Sequence, residues 1–447
     1  MDNTNRSFLH IQFNPATVLA IGFGSLILLG SILLNLPIAS NSGERVGYIN
    51  ALFTSASAVC VTGLVVVNTA EFWSLFGKIV IILLIQIGGL GFMTMATIVA
   101  LILGKKISLR ERLIIKEQLN QETMSGLVRL TKYVIYLTFL IEFIGALLLS
   151  TRFIPLYGWE KGIGYSVFHS ISAFCNAGFD ILGNSIVPFV DDVIINFTID
   201  SLVILGGLGF AVYIDLFRHK RFNRLSVHGK LVITMTVILL ILGAILFFGI
   251  EYSNPATLGN LNGGAKVSAS IFQSVIARTA GFNSVDLSQI RDTSTFLLII
   301  LMFIGGSPGS TAGGIKTTTF GVIAITSIST IRGDEDVVIF KKRISEGVIK
   351  KSISIVFISM VLVIIVSFIL TITEEAGFLD LLFETTSAFA TVGLSRGITS
   401  TLSNIGKTIV LITMYIGRVG PLTMAFALGR KSKQRKFRYS EGNIIVG

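Results

Sequence analysis

Charged side chains are scarce: Asp, Glu, Lys and Arg supply 14% of the 447 residues, while 52% are hydrophobic. Soluble domains carry roughly 25% charge, so a globular protein with an ordinary water-facing surface is excluded. Cysteine is nearly missing. Cys60 and Cys175 are too few for a disulfide framework and sit beside no metal-ligand pattern, so both read as small packing residues. Histidine occurs at positions 10, 169, 219 and 228, with no HExxH motif and no serine–histidine pairing inside an apolar run. That removes the familiar designs for an intramembrane enzyme. No polar stretch is long enough to fold as a separate domain.

What the chain does have is apolar runs near the ~20 residues that cross a bilayer. Eight are expected, at about 17–38, 77–103, 132–150, 192–216, 231–250, 295–331 (interrupted), 352–373 and 405–428. The first is too long, and lacks a small-residue cleavage site, to be a signal peptide. The formal charge of +11 is concentrated in alternate connections. Lys105, Lys106, Arg110, Arg112 and Lys116 share one; Arg218, Lys220, Arg221 and Arg224 another; Arg332, Lys341, Lys342 and Arg343 a third; and Arg430 to Arg438 form a basic tail. This is the positive-inside pattern, which puts both termini in the cytoplasm and argues against nucleic acid as a partner. The opposite side carries Glu44, Glu71, Asp191, Asp192, Glu251, Asp286, Glu374 and Glu375, a face that concentrates cations.

One stretch is written four times. TSASAVCVTGLVVVNT from Thr54 is echoed by HSISAFCNAGFDILGN from His169, QSVIARTAGFNSVDLS from Gln273 and ETTSAFATVGLSRGIT from Glu384. The shared glycines, Gly63, Gly178, Gly281 and Gly393, are spaced by 115, 103 and 112 residues. Ten residues upstream stand Phe53, Phe168, Ile271 and Phe383, and three copies carry a serine six upstream, at Ser57, Ser172 and Ser387. Each glycine ends a helical segment of about a dozen residues, ~18 Å long and too short to cross. The reading is an all-α membrane protein of four fused units, each a helix, a re-entrant half-helix, an extended strand and a helix, around one central pore. The second helix of each unit carries a glycine motif: LIQIGGLGF (from Leu84), LVILGGLGF (from Leu202), LMFIGGSPGS (from Leu301) and MYIGRVGPL (from Met414).

Irregular backbone at membrane depth survives only where it lines water or is buried in protein. Four strands stopping at one axis meet that condition. The carbonyls of Val61–Thr62–Gly63, Asn176–Ala177–Gly178, Thr279–Ala280–Gly281 and Thr391–Val392–Gly393 would then replace the hydration shell of a cation. Negative helix C-termini aimed at the same point favour it. The competing explanation is that the glycines only let helices pack closely. A repeat-built secondary cation transporter, with a substrate site at broken midplane helices, also stays open. Gly305–Thr319 nearly spells a phosphate loop, but Ile315 stands where the lysine belongs and no strand precedes it, so nucleotide binding is not expected there. Arg418, beside Gly417, is a costly intramembrane cation whose ordinary explanation is an ion pair with Asp200 or Glu142. Those two carboxyls read as interhelical hydrogen-bonding groups. Arg278 has no counterpart among Cys60, Cys175 and Ala390.

The unit resembles the helix–pore loop–helix of potassium channels reduced to one filter glycine, and four in a row resemble the Trk/Ktr/HKT superfamily of potassium transporters over nearly the whole chain. Within it the nearest kind is the ion-translocating membrane subunit of bacterial Ktr uptake systems. The resemblance implies that the four glycines form the filter, glycine in the first unit being the potassium-selective pattern. It implies an intramembrane gate below the filter, formed by Gly305, Gly306, Ser307, Pro308, Gly309, Ser310, Thr311, Ala312, Gly313, Gly314 and Lys316, and a positive barrier at Arg418 that Lys316 aids more weakly. It further implies K+ as the cargo with Na+ coupling open, a homodimer in the cell membrane, and control by a cytosolic RCK-type ring that carries ATP or ADP. The expected divisions are a lead (1–16), repeat 1 (17–104), linker helix and repeat 2 (105–217), repeat 3 (218–332, with the loop at 305–319), repeat 4 (333–428) and a basic tail (429–447).

Overall fold

A computed structural model describes residues 15–91, 94, 109–118, 127–428, 442 and 445. The lead up to residue 14, residues 92–108 apart from 94, residues 119–126 of the linker and nearly all of the tail lie outside the described residues. The described chain is mostly helical. Its one small sheet is a hairpin, Val338–Ile339 paired antiparallel with Lys342–Arg343.

Four helices among the described residues are long and apolar enough to cross a bilayer: Pro15–Leu34, Val227–Glu251, Glu346–Thr373 and a stretch within Leu127–Phe174. A fifth arises if Val193–Gly207 and Phe210–His219, bent by 94° at their junction, are taken as one. The sequence expectation of eight runs, one of them interrupted, therefore meets further breaks, and the glycine motifs account for them. Leu75–Leu90 ends at Gly91, the bend in the second unit falls at Gly209, and Asn404–Val419 ends at Gly420, with φ of 83°, 86° and 94°. In the third unit, Asp292–Phe303 and Thr317–Arg332 are separated by a loop.

The long helices turn large apolar side chains outward. Leu28, Leu29 and Ile32, Phe139, Phe143 and Leu147, Ile238, Ile241 and Ile245, and Ile364, Ile365 and Phe368 are all exposed. Apolar surface on this scale is what hydrocarbon, not water, covers. Buried polar groups run the other way, gathered around the short helices in the interior.

Those short helices are Tyr48–Val59, the limb of Leu127–Phe174 that follows the kink at Gly158, Gly263–Ile276 and Phe378–Ala390. Phe53, Phe168 and Phe383 are buried as their shared position demands, but Ile271 is 45% exposed and Phe272 takes the buried place. The third copy is out of step by one residue. Cys60 and Ala277 are the C-cap residues of the first and third short helices, each with its N–H on the carbonyl four residues back. Phe272 stands nine residues before Gly281, where Phe53, Phe168 and Phe383 stand ten before their glycines, so the third copy is one residue shorter between its half-helix and its glycine. That corrects the sequence alignment, which set Ile271 opposite the phenylalanines.

Candidate functional site: a ring of four glycines

The four repeat glycines meet. A Cβ placed on Gly63 would lie 2.5 Å from the Ala177 carbonyl oxygen, and one on Gly178 would lie 2.8 Å from that of Ala280. One on Gly281 would lie 2.6 Å from the Val392 oxygen, and one on Gly393 would strike the Thr62 oxygen. Each glycine thus abuts the preceding-residue carbonyl of the next copy, and the fourth returns to the first. Two residues before each glycine the backbone is left-handed, at Val61 (φ 57°), Asn176 (60°), Thr279 (73°) and Thr391 (51°). Non-glycine residues, β-branched ones above all, take up this conformation at a cost of about 1–3 kcal/mol. The same strain at four matched places marks a shape that the surrounding packing imposes.

The serines noted in the sequence hold this shape. Ser57 Oγ accepts from Gly63 N–H (3.0 Å) and Ser387 Oγ from Gly393 N–H (3.1 Å), while Thr62, Ala177 and Val392 N–H donate to the carbonyls of Ser57, Ser172 and Ser387. Ser172 Oγ instead donates to the Phe179 carbonyl (2.7 Å). Tying these N–H groups back into their half-helices leaves carbonyls as the backbone polar groups at the ring. The third copy has no serine, and Ala280 N–H goes to the Ile276 carbonyl (3.0 Å). The hydroxyls of Thr62, Thr279 and Thr391 are buried with no protein partner.

On one side of the ring lies a vestibule of about 360 Å³, lined by all four glycines and by the segments that follow them. Ser395 and Thr399 of its wall donate to Glu384, which is fully buried at the foot of the fourth segment (2.8 and 2.5 Å). Nothing in the sequence marks Glu384, because its register partners Thr54 and His169 are chemically unlike it.

On the other side lies the loop between Ile304 and Lys316. Gly305 N–H donates to Ile315 O (2.9 Å) and Thr317 N–H to Gly306 O (3.0 Å), closing the loop on itself. Lys316 Nζ donates to Ala312 O (2.7 Å). Ser310 Oγ donates to Ser307 O (2.7 Å), and Phe210 N–H to Gly309 O (2.9 Å). A Cβ on Gly209 would come within 2.5 Å of Pro308 O. Thr311 Oγ1 lies within hydrogen-bond reach of Phe174 O, Asn176 Oδ1 and Gly206 O (3.0–3.1 Å). Gly313 packs under Ala390 and Thr391, and Gly314 against Gly305. The loop therefore sits directly beneath the second and fourth strands of the ring.

Arg418 is not ion-paired with Asp200 or Glu142. Its guanidinium donates to the carbonyls of Thr311, Gly88 and Gly89, joining the loop to the end of Leu75–Leu90. The glycine motifs explain its place. Gly88, Gly206 and Gly417 each lie against the carbonyl four residues before their own ring glycine, at Val59, Phe174 and Phe389. The next residue is Gly89, Gly207 or, in the fourth copy alone, Arg418. Glu142 instead accepts from Gln86 Nε2 (3.0 Å), with Cys175 Sγ 3.6 Å from Gln86 Oε1. Asp200 is half-buried, with its buried Oδ1 lacking a partner. Arg278 reaches Thr236 Oγ1 at 3.4 Å.

Residues 18–438 match the TrkH family, described as cation transport proteins. The chain is 46% identical to the Ktr system potassium uptake protein B of Bacillus subtilis, covering 98% of each. It is 42% identical to the protein of the same name from Vibrio alginolyticus, covering 96% of this chain and 94% of the relative. It is 41% identical to the potassium/sodium uptake protein NtpJ of Enterococcus hirae, covering 98% of each. Among solved structures, the potassium transporter TrkH of Vibrio parahaemolyticus shares the fold at a TM-score of 0.73 and 16% identity, covering 96% of this chain and 87% of that one.

Proposed function

The chain belongs to the TrkH family of cation transport proteins, and from that membership we propose that it is the potassium-translocating membrane subunit of a Ktr-type uptake system. The family is one of transporters, not enzymes. The observation that carries the reading is the closed ring, each glycine set against a carbonyl of the next copy. A dehydrated cation needs a cage of oxygens at fixed distance. Strands whose N–H groups are tied outward supply one at Val61–Gly63, Asn176–Gly178, Thr279–Gly281 and Thr391–Gly393. The four units carry eight membrane crossings, the second of each unit broken at its glycine motif, with both termini in the cytoplasm.

The loop beneath the ring is the gate, and Arg418 is both its latch and a positive charge on the path of the ion. Regulation comes from a cytosolic RCK-type ring carrying ATP or ADP, since a relative named as one part of a Ktr system implies a further part. The working unit is a homodimer in the cell membrane. Sodium enters as a candidate co-ion on the strength of the potassium/sodium name of the Enterococcus hirae relative.

The test is growth and ion uptake in cells stripped of their own potassium transporters. Wild type is expected to rescue growth at low potassium. Gly63→Ser places a side chain against Ala177 O and is expected to admit sodium as well. An unchanged ion preference in that variant would make the glycines packing residues.

A further inference from the structure

The vestibule above the ring has one ionisable side chain among its lining residues, Asp180. It stands two residues after Gly178, where the other copies have Val65, Asn283 and Ser395. All four positions stand two residues after a ring glycine, yet only the second copy places a charge there. The carboxylate is held in place: Oδ1 accepts from Leu182 N–H (2.9 Å) and Gly183 N–H (2.7 Å), turning the backbone back over the cavity. Around it are neutral polar groups, among them Asn68, Ser185 and Thr399.

We propose that Asp180 makes the vestibule a capture site for a hydrated monovalent cation, which waits there before losing water to the carbonyl ring. This rests on the ring being the conduction path. A cavity of about 360 Å³ holds several waters together with an ion. A fixed negative charge with low-dielectric walls around it raises the local cation concentration. The site recognises charge and hydration, not size, so it sets how much potassium is needed and leaves the choice of ion to the ring. A charge in the second copy alone also makes the mouth electrostatically lopsided, although the ring below it is four times repeated.

The test compares the potassium concentration that half-saturates uptake in wild type, Asp180→Asn and the double variant Asp180→Asn/Asn283→Asp. Asparagine keeps an oxygen for Leu182 and Gly183, so the turn survives and the charge alone is lost. At low ionic strength Asp180→Asn is expected to need roughly five-fold more potassium, a difference that shrinks above physiological salt as the field is screened over ~8 Å. Asn283→Asp restores a carboxylate across the same cavity at the matched position and is expected to bring the requirement back down. An unchanged half-saturation in Asp180→Asn overturns the capture site. A raised value that ignores salt, or that the relocated charge fails to correct, overturns it too, because Asp180 would then be a turn residue only. Should Asp180→Asn express poorly, Asp180→Glu, which keeps the charge, is expected to hold the wild-type requirement; a raised requirement there overturns the site as well. None of these outcomes touches the ring, which is judged by the ion preference of Gly63→Ser.

Discussion

Potassium uptake by Gly393→Ala is expected to fall to the background of cells without the transporter, while the protein still reaches the membrane. Two effects combine at this position. The residue sits at φ 91°, where an L side chain costs about 1–3 kcal/mol. Its Cβ would also strike the Thr62 carbonyl oxygen and lie 2.9 Å from Gly63 Cα. Both contacts are with backbone, which cannot swing aside as a flexible side chain would, so the ring must deform and its carbonyls with it. Gly333→Ala separates the two effects. Gly333 has φ 76° with nothing within 4 Å of its Cβ position, so it meets the backbone cost alone. Its uptake is expected to stay close to wild type. Equal loss in both variants would mean that strain, and not ring geometry, is what the cells report.

Arg418→Ala is expected to give potassium flux that no longer depends on the cytosolic regulator, raised at least ten-fold in vesicles that lack it. One guanidinium joins Thr311 in the loop to Gly88 and Gly89 in another unit. A hydrogen bond to a charged group contributes about 1.5–3 kcal/mol, enough that losing one shifts a two-state loop about ten-fold or more. Arg418→Lys distinguishes the latch from the barrier. Lysine keeps the positive charge, but one ammonium cannot reproduce the planar fork that reaches both sides at once. Open flux in the lysine variant marks Arg418 as a latch; closed flux marks it as a barrier acting by charge alone. Removing residues 309–313 is expected to match Arg418→Ala, because the same obstruction is gone.

How far the sequence revealed this arrangement depended on whether a feature was repeated. The ring was legible because a glycine recurs at matched spacing with its serines and aromatics, and repetition turns a weak signal into a strong one. The slip in the third copy was not legible. Ile271 and Phe272 are adjacent and both apolar, so composition could not say which faced inward; only burial could. Arg418 was visible as an expensive residue, but its partners were not. Backbone carbonyls leave no trace in a sequence, whereas the carboxyls of Asp200 and Glu142 do. The continuous runs at 77–103, 192–216 and 405–428 looked like spans because glycine is tolerated in membrane helices. That Gly91, Gly209 and Gly420 each take a positive φ is a fact of the folded backbone, and at Gly209 the loop carbonyl of Pro308 leaves no room for a Cβ. Asp180 and Glu384 are illegible in the sequence for the opposite reason to the glycines. Each occurs in one copy only, and a search for what the copies share passes over what one of them has alone.

The most direct test of the central claim is to locate the ion. Crystals of the protein soaked in a thallous salt, a heavy monovalent stand-in for potassium, would give anomalous scattering at every bound cation. The account predicts a peak on the axis, enclosed by the backbone oxygens of Val61–Gly63, Asn176–Gly178, Thr279–Gly281 and Thr391–Gly393. A cation found at the broken helices instead, with the ring empty, would contradict it and make the four glycines a packing device.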